Sequence, residues 1–172
     1  GLTATATPIP RGASDPALVY HASVADEPNA SDLRSAGGGV GRSAEAAETA
    51  ALAEALERYA ASVVSLKTVE LSENATDHLG TPVIGLDQWT LHSDEQREDA
   101  RFPYRDGYPT TVAYTFAHDV ATNTSVLVPA TLVALRRDYG ALATSSGLAA
   151  DFAPLKALLR ALQELVERDA YV

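Results

Sequence analysis

Two stretches of the chain repeat one arrangement of charged side chains, two glutamates three residues apart followed at once by an arginine. Both stretches read Ala-Leu-x-Glu-x-x-Glu-Arg-x-Ala, at residues 51–60 and 161–170. The charged residues are Glu54, Glu57 and Arg58 in the first copy and Glu164, Glu167 and Arg168 in the second. Both copies consist mainly of strong helix formers, and residues three apart share one helical face. The sequence therefore predicts two helices that each present a pair of carboxylates.

The four carboxylates have the chemistry of a magnesium site. Mg²⁺ prefers oxygen ligands and is commonly held by one or two carboxylates together with substrate phosphates. Each arginine would balance charge or bind a phosphate with its planar guanidinium group. The alternative is a solvated helical face, on which a Glu54–Arg58 pair contributes about 0.3–0.5 kcal/mol. The spacing alone favours this structural alternative, and the repetition is what favours the metal site.

Composition restricts the classes of function. The 172 residues suit one domain of ordinary size, and there is no cysteine for a disulfide, a thiolate metal site or a nucleophile. The net charge is −10 and the basic residues are scattered, which argues against nucleic-acid binding. No apolar run approaches the roughly 20 residues of a membrane span, and no signal region opens the chain. We therefore expect a cytoplasmic protein that does not bind membranes.

The first part of the chain is predicted to lead into a long helix. Residues 1–16 form an extended or loose arm, residues 17–24 a strand, and residues 36–42 a glycine loop that fits neither a Walker A nor a Rossmann pattern. Ser43 is predicted to cap a helix that ends near residue 65. The apolar stripe of this helix, at 3.6-residue spacing, consists of Leu52, Leu56, Tyr59 and Val63.

The rest of the chain is predicted to add strands and a second long helix. The clearest strands cover residues 111–120 and 125–135, with a hairpin turn between them. Pro129 indicates an edge position or a bulge in the second of these strands. The last helix is predicted to begin near Pro154, and its apolar stripe consists of Leu155, Leu158, Leu162, Leu165 and Val166. The predicted fold class is α/β, with a mixed or antiparallel sheet packed against two main helices.

Three segments of the chain are similar to signatures of the YcaO family, ATP-using proteins that modify peptide backbones. The first signature is resembled by Gly-Val-Gly-Arg-Ser at 39–43 followed by residues 50–59. The family's central hairpin is resembled by Asp-Val-Ala-Thr at 119–122 followed by residues 126–130. The second signature is resembled by residues 145–150 followed by residues 161–170. After the arm, residues 17–172 thus resemble the amino-terminal portion of a YcaO domain, without the carboxy-terminal region that takes part in catalysis.

The resemblance implies a YcaO-like fold in which the two glutamate pairs bind Mg²⁺ and ATP. It assigns metal binding to Glu54, Glu57, Glu164 and Glu167, with Arg58 and Arg168 as further residues of the ATP site. The implied reaction is phosphorylation of a peptide amide oxygen after a nucleophile attacks the amide carbon, and azoline formation is favoured over thioamide formation. A precursor peptide is the implied substrate, while a leader-peptide-binding partner protein and a homodimer stay open. No catalytic residue is assigned.

The chain departs from the family pattern within the second signature. Lys156 lies eight residues before Glu164, where relatives place another metal-binding glutamate. Asp151 and Phe152 replace a small, polar pair near the nucleotide. These departures favour an alternative, a degenerate and non-catalytic YcaO homologue that binds a peptide or a partner protein. The leading expectation is azoline-forming cyclodehydration in the biosynthesis of a ribosomally made peptide.

Overall fold

The structure, a computed structural model, describes residues 3–10, 17–25, 36–72, 74–89, 92–102, 110–139, 142 and 144–171. In chain order the elements are β1 (Thr3–Pro8), β2 (Leu18–Ala25), β3 (Ala36–Gly41), α1 (Ala44–Val63), β4 (Thr68–Ser72), β5 (Asp77–His78), β6 (Thr81–Pro82), α2 (Asp94–Glu98), β7 (Thr111–Asp119), β8 (Thr124–Pro129) and α3 (Pro154–Asp169). The chain divides into two compact units. The first contains Gly1–Val64 and Ala143–Val172, and the second contains Ser65–Leu142.

The first unit is built on an antiparallel sheet with the strand order β1-β2-β3. The predicted strand at residues 17–24 is confirmed as β2. Within the predicted extended or loose arm, residues 3–8 are extended: they form β1, and every residue of β1 pairs with β2. Helix α1 begins as predicted after Ser43, whose hydroxyl oxygen accepts a hydrogen bond from the Ala46 N–H at 3.2 Å. This bond satisfies one of the backbone donors left free at a helix start.

Strand β3 lies where a glycine loop was predicted, and that prediction was wrong. A β-carbon placed on Gly39 would lie 2.1 Å from the carbonyl oxygen of Ala47, and one on Gly37 would lie 2.5 Å from the N–H nitrogen of Ala55. Gly41 meets α1 in the same way, at 2.6 Å. Glycine has a low intrinsic strand propensity, but here it allows the backbone of α1 to approach the strand closely. The tertiary contact outweighs the local propensity.

The face of α1 that packs on this sheet is made of alanines. Ala47, Ala51 and Ala55 are completely buried, and they are small enough for the close approach that β3 requires. The predicted apolar stripe lies beside this contact and not within it. The prediction that the stripe forms the buried face of α1 was therefore wrong. Leu56 and Val63 are exposed, whereas the other two stripe residues, Leu52 and Tyr59, are partly buried beside the alanine cluster.

Helix α3 begins at Pro154, as predicted, with the proline in the first turn. The five residues of its predicted apolar stripe are all exposed, by between 45% and 81%. Among the described residues, none of α3 is buried. Across all the residues that the structure describes, no helix is long and apolar enough to cross a membrane.

The second unit contains the antiparallel sheet β4-β7-β8 and the two-stranded pair β5–β6. The hairpin between β7 and β8 is confirmed, and its turn places Asn123 at a φ of 57°, which asparagine tolerates. Strand β8 ends at Pro129 and lies at the sheet edge, as the proline predicted, and a 3₁₀ turn at Ala130–Leu132 follows it. The fold class is thus confirmed as α/β with antiparallel sheets. The core of this unit consists of Val83, Leu86, Val112, Tyr114 and Leu127.

The contact between β3 and α1 generates a prediction about stability. We expect Gly39→Ala to lower the free energy of unfolding by about 3 kcal/mol or more, because the new methyl group overlaps the helix backbone. Gly38→Ala is the matched control, since a β-carbon there meets nothing closer than 4.0 Å and should change stability by about 0.5 kcal/mol or less. Urea unfolding of both variants measures the difference, and equal stabilities would contradict the packing described here.

Candidate functional site

In the first copy of the repeat, Glu54 and Arg58 form an ion pair that is also bonded to strand β3. The Arg58 Nη2 lies 2.6 Å from the Glu54 Oε1, as the predicted pair four residues apart requires. The other carboxylate oxygen, Oε2, accepts a hydrogen bond from the Gly38 N–H at 2.7 Å. The Arg58 Nη1 donates to the carbonyl oxygen of Ala36 at 3.0 Å. Both side chains are about two-thirds buried, so this pair is more than a solvated surface pair.

These two bonds cover an edge of β3. Strand β3 is the last strand of its sheet, and Ala36 and Gly38, two residues apart, direct their backbone groups to the same side. Unpaired backbone groups at a strand edge need a partner. Glu54 supplies the acceptor and Arg58 the donor that a further strand would have supplied.

The second copy of the repeat makes the same contacts on a different element. The Glu164 Oε2 accepts a hydrogen bond from the Gly147 N–H at 3.1 Å, and the Arg168 Nε donates to the Glu164 Oε1 at 2.9 Å. Gly147 has a φ of 80°, a conformation that favours glycine. In both copies the first glutamate therefore binds a glycine N–H with one oxygen and the arginine four residues later with the other.

The carboxylate of Glu57 interacts electrostatically with glutamates of both copies of the repeat. Burial raises its pKa above the ordinary glutamate range, and the negative charges of Glu164 and Glu54 raise this pKa further. A hydrogen bond from the backbone of Ala150 and the charge of Arg58 oppose the shift but do not cancel it. Three of the four predicted carboxylates thus interact electrostatically, and these three come from both helices.

The fourth predicted carboxylate, Glu167, is exposed on α3, and no described contact joins its side chain to the other three. Within the described ranges, no three acidic or histidine side chains lie close enough to hold a metal ion between them. This does not conflict with magnesium, because Mg²⁺ usually keeps several waters and takes only one or two carboxylates, with phosphates completing its shell. Glu57 and Glu164 fit that role, since each meets the other's negative charge.

Asp151 and Phe152, which depart from the family pattern, line a cavity beside α1. The sequence did not predict this cavity. The Asp151 Oδ2 lies 3.2 Å from the Arg160 Nη2, and its Oδ1 accepts from the Ala153 N–H at 3.0 Å. This carboxylate is 12% exposed. Next to it lies this cavity of about 500 Å³, lined by Thr49, Leu52, Ala53, Leu56, Ala150, Asp151, Phe152 and Arg160. Leu52 and Leu56, predicted as core residues, line this cavity.

The contacts of the carboxylates with glycine N–H groups were also missed by the sequence analysis. Residues 36–42 were predicted to form a loop, and Gly147 was noted only within residues 145–150, which resemble part of the second family signature. The available signal was the presence of a glycine 16 or 17 residues before the first glutamate of each copy. That spacing has no general structural meaning, so it could not have been interpreted without the fold.

Comparison with known proteins identifies the family. Residues 38–172 match the family model described as YcaO cyclodehydratase, ATP- and Mg²⁺-binding. The chain therefore belongs to the YcaO family, as its resemblance to the family signatures predicted. The comparison with curated proteins found no match.

Two solved structures share the fold. A heterocyclase in complex with substrate and cofactor is 18% identical, with a TM-score of 0.68 over 96% of this chain and 24% of that one. The YcaO protein from Methanopyrus kandleri bound with AMPPCP and Mg²⁺ is 21% identical, with a TM-score of 0.62 over 99% of this chain and 38% of that one. The chain thus spans about a quarter and somewhat more than a third of these two proteins.

The raised pKa of Glu57 generates a prediction about pH. Because this pKa is higher in the folded protein than the value of about 4.3 expected in the unfolded chain, the unfolded state loses its proton first as the pH rises. Stability therefore falls as the pH rises from about 4.3 to the raised pKa, and it stays lower above that pKa. Glu57→Gln removes this loss. We expect the variant to be more stable than the wild type at pH 7, by about 1 kcal/mol or less because the site is partly exposed.

Thermal unfolding at pH 7 and at pH 4 measures this effect, and the advantage of Glu57→Gln should shrink at the lower pH. Glu48→Gln, at an exposed position of the same helix, is the matched control for the loss of one charge outside the cluster. A Glu57→Gln variant with the same stability difference at both pH values would show that the pKa of Glu57 is not raised in the folded protein.

Proposed function

We propose that this chain forms part of a Mg²⁺–ATP site used in modifying a peptide backbone amide, with azoline-forming cyclodehydration as the reaction. The proposed ligands of Mg²⁺ are Glu54, Glu57, Glu164 and Glu167. The observation that carries the proposal is the mutual approach of Glu57 and Glu164, carboxylates from two helices 107 positions apart in the sequence. Membership of a family whose model is described as ATP- and Mg²⁺-binding supports it.

The electrostatics of the cluster favour a divalent cation. Carboxylates that approach one another in a partly buried place repel, and the repulsion disfavours their charged forms. A bound Mg²⁺ would relieve this repulsion and would bridge and neutralise the phosphates of ATP. Of the proposed ligands, Glu57 and Glu164 meet each other's negative charge, and Glu54 would be held in a fixed position by its bonds to Gly38 and Arg58.

The two structural neighbours support the proposed ligand and substrate class. One neighbour is bound with an ATP analogue and Mg²⁺, and the other is a heterocyclase in complex with substrate and cofactor. Since this chain spans only part of either protein, the activity belongs to the proposal. The proposal includes a precursor peptide as substrate and a cytoplasmic location, and it leaves a role for a leader-binding partner protein and for a homodimer.

Isothermal titration calorimetry of Mg²⁺–ATP into the protein tests the site. We expect the wild type to bind and Glu57→Ala to bind about 10- to 100-fold more weakly, the range for loss of a residue that supports a metal. Glu48→Ala, on the same helix but outside the cluster, is the matched control and should bind like the wild type. Absence of binding in the wild type would refute the function, and unchanged binding by Glu57→Ala would refute the site.

A second candidate function is a degenerate YcaO homologue that binds a peptide or partner protein without catalysis. Two observations favour it. Asp151 is already engaged by Arg160 and the Ala153 N–H, and Phe152, next to it, is fully exposed where the family pattern has a small polar residue. Lys156 is exposed on the first turn of α3 and carries a positive charge where the pattern has a glutamate.

Lys156→Glu separates the two functions. If the chain is degenerate, we expect no Mg²⁺–ATP binding by the wild type and measurable binding by Lys156→Glu, because the variant restores an acidic ligand. Lys156→Gln is the matched control, since it removes the positive charge without adding a carboxylate. The degenerate alternative would be refuted if the wild type binds Mg²⁺–ATP and if Lys156→Gln changes the dissociation constant by less than about threefold.

A further inference from the structure

We propose that Arg58 and Arg168 are positioning residues, each of which holds the first glutamate of its copy against a glycine N–H. The first glutamates are then fixed in orientation, and Glu57, the second glutamate of the first copy, faces the ligand with no arginine bonded to its carboxylate among the described contacts. This inference rests on the proposed function and deepens it, because it divides the residues of the repeat between two tasks. It also replaces the other role considered for these arginines, a direct contact with a phosphate.

The contacts of Arg58 define the task in the first copy. Its two terminal nitrogens are both engaged, Nη2 by the Glu54 carboxylate at 2.6 Å and Nη1 by the Ala36 carbonyl oxygen at 3.0 Å. Within the described residues its third nitrogen, Nε, is buried without a hydrogen-bond partner. The planar group is therefore held at both terminal nitrogens, and the Glu54 carboxylate it holds accepts the Gly38 N–H at 2.7 Å.

The contacts of Arg168 repeat this arrangement on different backbone. Two of its nitrogens, Nε and Nη2, lie 2.9 and 2.8 Å from the Glu164 Oε1, and the Oε2 accepts the Gly147 N–H at 3.1 Å. The segment that holds Gly147 is a turn, whereas Gly38 lies in a strand. The same three-part chain of arginine, glutamate and glycine N–H thus occurs in two unrelated backbone settings, which argues against a coincidence of local structure.

The consequence for the ligand concerns Glu57. Glu54 and Glu164 have each given both oxygens a protein partner, so their orientation is fixed before a ligand binds, as preorganised sites require. Glu57, one turn further along α1, has no arginine bonded to its carboxylate among the described contacts, and its partner is the Ala150 backbone. Positioning of the first glutamate therefore also positions the helix turn that presents the second.

Amide hydrogen exchange of the protein without ligand tests the positioning role directly. In ¹⁵N-glycine-labelled protein, which has 11 glycines, we expect Arg58→Ala to speed exchange of the Gly38 amide about three- to tenfold, as weakening of a charge-assisted bond predicts. The Gly147 amide should not change. Arg168→Ala should have the reverse pattern, so each variant is the control for the other. Gly39, in the same strand as Gly38, reports any general loosening.

A double-mutant cycle separates a positioning arginine from one that contacts a phosphate. If Arg58 acts through Glu54, then Arg58→Ala should add nothing to the weakening of Mg²⁺–ATP binding already caused by Glu54→Ala, since the two residues form one unit. An arginine that contacts a phosphate would weaken binding further in the Glu54→Ala background. Arg58→Lys, which keeps the charge but not the planar fork, should restore part of the Gly38 protection.

The outcomes distinguish this proposal from the function on which it rests. Unchanged Gly38 exchange in Arg58→Ala, or additive effects of the two substitutions on ATP binding, would overturn the positioning role. If Arg58→Ala speeds exchange at Gly39 as much as at Gly38, the variant has loosened the whole strand; Arg58→Lys then decides, and protection of Gly38 no better than in Arg58→Ala overturns the role. A protein that shows the predicted exchange pattern but binds no Mg²⁺–ATP would refute the proposed function and leave the positioning role standing.

Discussion

The close approach of helix α1 to strand β3 is the constraint on which the candidate site depends. No side chain fits on β3 at Gly39, because a β-carbon there would lie 2.1 Å from the backbone of α1, and α1 contributes the completely buried alanines 47, 51 and 55 to the contact. This proximity lets the short side chain of Glu54 reach the Gly38 N–H and lets Arg58 reach the Ala36 carbonyl. A bulkier interface would place the ion pair too far from the strand for either bond.

The site has an electrostatic cost in the absence of a ligand. Burial and the charges of Glu164 and Glu54 raise the pKa of Glu57, so folding brings together groups that repel. Local arrangements that lower stability without a structural benefit are concentrated at functional sites. A divalent cation removes the repulsion, and so the feature that weakens the free protein is the one that would strengthen binding. The ion pairs of the first glutamates limit this cost by placing a positive charge beside two of the three carboxylates.

Family membership and the repeated contacts are two independent observations that both support a site at the repeat. The match to the YcaO family covers residues 38–172 and includes both copies of the repeat, whereas the hydrogen bonds were found in the structure of this chain alone. The chain also has features of its own, the Asp151–Arg160 pair and the adjoining cavity, at positions where its sequence departs from the family pattern. The helix that follows them presents an exposed apolar face. The shared family scaffold supports the first proposed function, and these departures favour the second.

The sequence by itself determined the two long helices, the cap of α1 at Ser43 and the start of α3 at Pro154, the β7–β8 hairpin and the pairing of Glu54 with Arg58, because these depend on residues a few positions apart. Only the tertiary structure decided that the glycines at 36–41 form a strand and that α1 buries alanines instead of its leucines, since both follow from a backbone contact that no local propensity encodes. The same holds for the site. The repeat predicted four candidate carboxylates, but the approach of Glu57 to Glu164, and the separation of Glu167 from them in the described contacts, result from how α1 and the segment before α3 pack.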